Sequence, residues 1–244
     1  MRAETEEIHV LGHRVRLLQP TQGFRTSLDS VMLAAACPAK AGDNILDLGC
    51  GVGGAGFCVL ARVPGTILTG VEIQGDHAAL AVQNIALNKM EGRAAFVCGD
   101  MRGYTGGGQF DHIICNPPYL DAGTHTPSPS LPKATALYHS DENISVKDWI
   151  DAGFRNLKNG GSFTIIHRAD HLDKIIQGFG KRFGAIEIIP LWPRVGVAAK
   201  RVIIRALKNR KTPALLHPGL VLHEADGSYT PAADAVLRDM AAIP

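Results

Sequence analysis

The feature that most narrows what this chain can fold into is the junction at residues 44–54. A five-residue apolar run (NILDL) passes into Gly49-Cys50-Gly51-Val52-Gly53, and helical spacing follows over 55–62. Glycines at such a junction let the backbone turn sharply and approach a ligand closely, while the start of the helix presents unpaired N–H groups. A strand, a glycine loop and a helix in that order open a parallel α/β unit. The alternation then continues, with strands expected over 67–72, 94–98, 111–115, 162–167, 185–189 and 200–207, and helices over 76–88 and 143–157. Short, nearly continuous apolar strands between helices argue for a mostly parallel sheet covered on both faces. Upstream, residues 8–18 read as a hairpin around Gly12, and 27–37 as a helix ended before Pro38. A length of 244 residues suits one such domain with an elaboration. We therefore expect an N-terminal hairpin and helix over 1–40 that pack on the ligand site, and the main domain over 41–244.

In sheets of this kind ligands bind beyond the carboxyl ends of the strands, near the switch in strand order. Three acids fall at three successive strand ends: Asp47, Glu72 and Asp100. The loop also contains Gly51-Val52-Gly53-Gly54-Ala55-Gly56, a formal GxGxxG, which keeps a dinucleotide site open. Asp47 argues the other way. A carboxylate two residues before the first glycine would repel a pyrophosphate but suit a cationic sulfonium ligand bearing an ammonium group. Glu72 is placed to grip ribose hydroxyls in either fold, and Asp100 can accept from an adenine amine. The plainer reading of any one of these acids is a helix cap or a solvated turn; three in succession weaken it.

The strand at 111–115 ends in Asn116-Pro117-Pro118-Tyr119. A conjugated amine is a poor nucleophile because its lone pair is delocalised. Acceptors that draw both N–H groups out of plane localise that pair. The Asn116 side-chain oxygen and the Pro117 carbonyl can serve as two such acceptors. Consecutive prolines fix φ and remove competing donors, and Tyr119 offers a flat face for stacking. A rigid turn is the plain alternative for Asn-Pro-Pro anywhere else in a chain.

With these residues the chain resembles the class I methyltransferases. Within them it resembles the amino-methyltransferases that carry Asn-Pro-Pro-Tyr, through Asp47-Leu48-Gly49-Cys50-Gly51, Val71-Glu72-Ile73-Gln74 and Asn116 to Tyr119. Gln19-Pro20, Gly23-Phe24-Arg25, Ser27-Leu28-Asp29-Ser30 and Asp226-Gly227-Ser228-Tyr229-Thr230 narrow it to the bacterial tRNA1(Val) adenine-37 N6-methyltransferase family. The resemblance implies a Rossmann-like, seven-stranded sheet of order 3-2-1-4-5-7-6 with the last strand antiparallel. It implies S-adenosylmethionine as cofactor and S-adenosylhomocysteine as product. Gly49, Cys50, Gly51 and Gly53 would line the cofactor backbone, Glu72 and Ile73 its ribose side, and Asp100 and Met101 its adenine. Asn116, Pro117, Pro118 and Tyr119 would hold the acceptor, with Asn116 also reaching the cofactor. Arg25, Ser27 and Asp29 would close over the methionine end, a helix cap being the alternative for Ser27 or Asp29.

An RNA acceptor would need phosphate contacts, and the net charge of only +2 does not announce them. Arg194, Lys200, Arg201, Arg205, Lys208, Arg210 and Lys211 form a run without an acid, which can grip phosphates; a solvated strand and turn is the alternative. A second acceptor class is a glutamine amide of a release factor. That class usually brings an N-terminal helical domain, for which about 40 residues leave no room. An NAD(P)-dependent oxidoreductase lacks a convincing catalytic pair here, and a non-catalytic RNA-binding module would not need the intact tetrapeptide. His167 and His171 have HxxxH spacing but no third ligand, so no metal is expected. The five cysteines form no CxxC pair and read as reduced core thiols. Glu4, Glu6 and Glu7 do not resemble a signal peptide, and no apolar run approaches the ~20 residues that span a bilayer. A cytoplasmic protein without membrane contact is the expectation. Trp149 and Trp192 read as packing residues, and the polar stretch 120–142 as the loop that selects the acceptor.

Overall fold

The computed structural model describes residues 4–22, 26–106, 109–119 and 144–243. Arg25 and the loop 120–142 lie outside the described residues. The strands are β1 (Thr5–Val10), β2 (Val15–Pro20), β3 (Asn44–Leu48), β4 (Ile67–Glu72), β5 (Ala94–Cys98), β6 (Phe110–Cys115), β7 (Leu157–Arg168), β8 (Phe183–Trp192), β9 (Arg201–Lys208), β10 (Leu215–Leu216) and β11 (Leu220–Val221). The helices are α1 (Leu28–Ala36), α2 (Gly54–Arg62), α3 (Gly75–Leu87), α4 (Val146–Asn156), α5 (Leu172–Phe179) and α6 (Pro231–Arg238).

The main sheet runs β5-β4-β3-β6-β7-β9-β8. Its neighbours are parallel except β9, which is antiparallel to both β7 and β8. That is the expected order with the expected reversed strand. The sheet is wider than seven strands, however, because the two-residue strands β10 and β11 extend β8 in parallel. Each is too short to carry a period-two pattern, so nothing in their sequence marks them as strands.

Strand alternation divides the core. Ile45, Ile114, Ile166 and Ile203 face one cluster, with Met32, Leu33, Phe57 and Leu60 from α1 and α2. Their chain neighbours Leu46, Ile113, Ile165 and Ile204 face the other, with Trp149, Ile150, Ile175 and Phe179 from α4 and α5. Such a strand has no polar face, so it reads as a continuous apolar run. Helix α5 escaped the sequence pattern: Ile175 and Phe179 are its only fully buried apolar pair, and Asp173, Lys174 and Gly178 break the stripe.

The hairpin β1–β2 is tied to the sheet by two asparagines one turn apart on α3. Asn84 exchanges bonds with the Leu18 backbone, donating to its carbonyl and accepting from its N–H, and also donates to the Val52 carbonyl in the glycine loop. Asn88 treats Arg16 in the same way. The two amides serve as a substitute strand edge for β2 and fasten it to the loop. The C-terminal hairpin turns at Asp226-Gly227 and leads into α6, whose N-cap Thr230 accepts from Ala233 N–H at 3.1 Å.

Candidate functional site

Strand order reverses between β3 and β6, and the carboxyl ends of both carry the residues of interest. After β3 the chain turns through three left-handed glycines, Gly49 (φ 65°), Gly51 (φ 56°) and Gly53 (φ 91°). Gly49 is required for a second reason: a Cβ there would stand 2.5 Å from the Trp149 ring. Trp149 is therefore packing, as expected, but its packing partner is the glycine loop itself. Gly49 N–H and Cys50 N–H both donate to the Val71 carbonyl, at 2.8 and 3.1 Å.

The acids at the strand ends have unequal surroundings. Glu72 is 4% exposed, and its two oxygens accept from Gly51 N–H and Gln74 N–H, each at 2.8 Å. Its carboxylate thus joins the ends of β3 and β4. Asp47 is 2% exposed and accepts from Gly56 N–H at 3.1 Å, across the start of α2. Burial above all, with Glu72 nearby, pushes its carboxyl up to about 8. Through that bond it ties the end of β3 to the first turn of α2. Asp100 is partly exposed and held by Arg102, through its N–H at 2.8 Å and its guanidinium at 2.6 Å. Those bonds keep its carboxyl below the usual range. Ile73 is exposed beside Glu72, while Met101 and Cys50 are buried.

Across the switch point, β6 delivers Asn116 half-buried, Pro117 buried and Pro118 exposed. The Tyr119 hydroxyl lies 2.7 Å from Asp29 Oδ2 and 3.0 Å from Asn116 Oδ1. Arg201, at the start of β9, bonds the same Asp29 oxygen at 3.1 Å, and its guanidinium lies 4.6 Å from the Tyr119 ring centre. His167 meets the ring edge-on at 5.1 Å and stacks on His171 at 4.4 Å. His167 is buried, with no partner for Nδ1, and burial lowers its pKa to about 4. Among the described residues no group of three His, Cys, Asp or Glu could hold a metal ion.

Ser27 is the N-cap of α1, its hydroxyl accepting from Asp29 N–H at 3.3 Å. The Asp29 side chain turns to Tyr119. The basic run also splits. Arg205 pairs with Glu187 at 2.6 Å and donates to the Ala36 carbonyl. Lys208 donates to the Phe154 and Leu157 carbonyls. With Arg201 on Asp29, three of the seven cations act inside the protein; Arg194, Lys200, Arg210 and Lys211 are exposed. Position relative to the strand separates them: Arg201, Arg205 and Lys208 lie on β9, and the four exposed cations lie outside it. The sequence alone missed Arg201, His167 and Asn84 as site-building residues, because their partners lie 32 to 172 residues away.

Among the described residues no helix is long and apolar enough to cross a membrane. Residues 26–129 match the family model described as the methyltransferase small domain. Two curated Shewanella proteins named tRNA1(Val) (adenine(37)-N6)-methyltransferase are 30% and 37% identical. The first alignment covers 89% of this chain and 92% of that protein, the second 85% and 88%. The crystal structure of a predicted O-methyltransferase from Agrobacterium tumefaciens superposes with a TM-score of 0.72 at 26% identity. That match covers 88% of this chain and 98% of the other. The chain belongs to the class I, S-adenosylmethionine-dependent methyltransferase family that contains the tRNA1(Val) (adenine(37)-N6)-methyltransferases.

Proposed function

We propose that the protein transfers the methyl group of S-adenosylmethionine to N6 of an unpaired adenine in the anticodon-loop region of tRNA. The observation that carries this reading is Asn116 and Tyr119 side by side at the end of β6, across the switch point from the glycine loop. The residues present fit the cofactor: a left-handed glycine turn, the buried Glu72 carboxylate at the end of β4, an acceptor type suited to ribose hydroxyls, and the exposed apolar Ile73 beside it. When bound, S-adenosylmethionine supplies an electrophilic methyl on a sulfonium. Asn116 and the Pro117 carbonyl accept the two N–H groups of the amine and orient its lone pair, and Tyr119 stacks on the base. In this reading the N-terminal segment, 1–40, serves the cofactor side of the main domain, 41–244.

A nitrogen acceptor suits the tetrapeptide better than an oxygen, because an amine presents two protons to two acceptors and a hydroxyl only one. An unpaired base enters such a pocket without the cost of unstacking a duplex. The curated relatives named above carry the tRNA activity in their names. A tRNA acceptor also accords with a cytoplasmic place of action, and the exposed Arg194, Lys200, Arg210 and Lys211 are the cations left for phosphates.

The test is methyl transfer from labelled S-adenosylmethionine to bulk tRNA lacking its modifications, with Asn116→Ala alongside. Label that digests to N6-methyladenosine and vanishes in the variant is the expected result. Tight cofactor binding with no label in any RNA would overturn the tRNA reading and direct the search to release-factor amides.

A further inference from the structure

Asp29, Asn116, Tyr119 and Arg201 come from three separated segments, yet they meet around one phenol. A phenol has a single proton. Here two acceptors lie within its reach, the Asp29 carboxylate at 2.7 Å and the Asn116 amide oxygen at 3.0 Å. If the proton went to Asn116, the tyrosine would occupy the acceptor that the incoming amine needs. We propose that Asp29 and Arg201 are a positioning pair for the acceptor. Acting through Tyr119, they draw its hydroxyl proton onto Asp29, release the Asn116 oxygen to the amine, and leave one face of the ring for the base. This inference rests on the reading that Asn116 and Tyr119 take the acceptor.

Three observations support it. The shorter of the two contacts goes to the charged partner, and charge-assisted hydrogen bonds are the stronger ones. Arg201 Nε holds the same Asp29 oxygen at 3.1 Å, so the carboxylate is fixed in place rather than free to turn away. The Arg201 guanidinium also covers the Tyr119 ring at 4.6 Å, while His167 closes an edge at 5.1 Å. One ring face is thereby taken, and a stacking base is confined to the other. Burial and Asp29 also raise the pKa of Tyr119, so the phenol keeps its proton across the working range. A lysine at position 201 would keep the charge but lose the planar fork and the stack.

A double-mutant cycle tests the pair. Asp29→Asn should raise the KM for the acceptor and lower kcat/KM by about ten- to a hundredfold, the value of a charged hydrogen bond, with the KM for S-adenosylmethionine unchanged. In the Tyr119→Phe background the hydroxyl is gone, and the same substitution should change kcat/KM by less than about twofold. Arg201→Lys should recover part of what Arg201→Gln loses. An equal cost of Asp29→Asn in both backgrounds, or a cost that falls on the cofactor KM, would overturn the proposal. A second measurement needs no acceptor. In protein labelled with 3-fluorotyrosine, the Tyr119 fluorine resonance, identified by its loss in Tyr119→Phe, should move in Asp29→Asn and in Arg201→Gln. A resonance that stays put in both folded variants would also overturn it. If the wild type methylated no RNA, the functional reading would fall while the fluorine resonance still decided the pair.

Discussion

The two sides of the switch point are built by different means. On the glycine-loop side every donor is a backbone N–H: Gly49 and Cys50 donate to the Val71 carbonyl, and the Glu72 and Asp47 carboxylates accept from Gly51, Gln74 and Gly56. On the acceptor side, side chains hold side chains: Asp29, Asn116, Tyr119, His167 and Arg201 meet through their side-chain groups. The first arrangement is set within one β-α-β unit and is stiff. The second is assembled from four places in the chain, and each contact is one rotamer away from being lost. A cofactor common to every turnover suits the stiff side, and an acceptor that must enter and leave suits the other.

That difference gives predictions with separable readouts. Glu72→Ala removes the acceptor of one buried and one part-buried N–H group, so it should cost about 1–3 kcal/mol of stability and weaken cofactor binding at least about tenfold. Equilibrium binding and denaturant unfolding would show both, and an unchanged cofactor Kd would break the claim that Glu72 organises the loop. His167 gives a pH signature on the acceptor side. Its folded pKa, about 4, lies below the unfolded value, so the stability it contributes is present above pH ~6.5 and lost as pH falls toward 4. Relative to His167→Gln, the wild type should lose up to roughly 3 kcal/mol across that window; parallel stability curves would contradict the burial argument. Arg205→Ala should destabilise by about 1–3 kcal/mol, a partly exposed pair being worth less than a buried one. It should leave the salt dependence of RNA binding as it was. Arg194→Ala and Lys200→Ala should do the reverse, each lowering the slope of log K against log salt by about 0.7–0.9 with stability within about 0.5 kcal/mol.

How much of this was legible in the sequence follows the same division. The glycine loop, Glu72 and the tetrapeptide sit at fixed distances from recognisable strands, so local spacing located them. Strand order needed a family resemblance, since periodicity carries no information on which strands are neighbours. Asp47 was legible as a position but not as an environment: only the fold shows that its carboxylate turns inward to Gly56. The basic run was legible as a run but not as two groups. Seven cations look alike in a string, but Arg201 and Arg205 on β9 pair with Asp29 and Glu187, while Arg194 and Lys200, before the strand, are exposed. Asn84 could not be found either, because an asparagine inside a helix signals nothing until the open edge of β2 lies against it.

The most direct test of the two-sided site is to measure S-adenosylmethionine binding and methyl transfer to tRNA on the same Asn116→Ala protein. The account predicts a cofactor Kd close to that of the wild type with transfer reduced by about 10²–10³-fold or more, the scale for losing one preorganised hydrogen-bond partner of the reacting group. Binding and transfer that fell together, by the same factor, would contradict it.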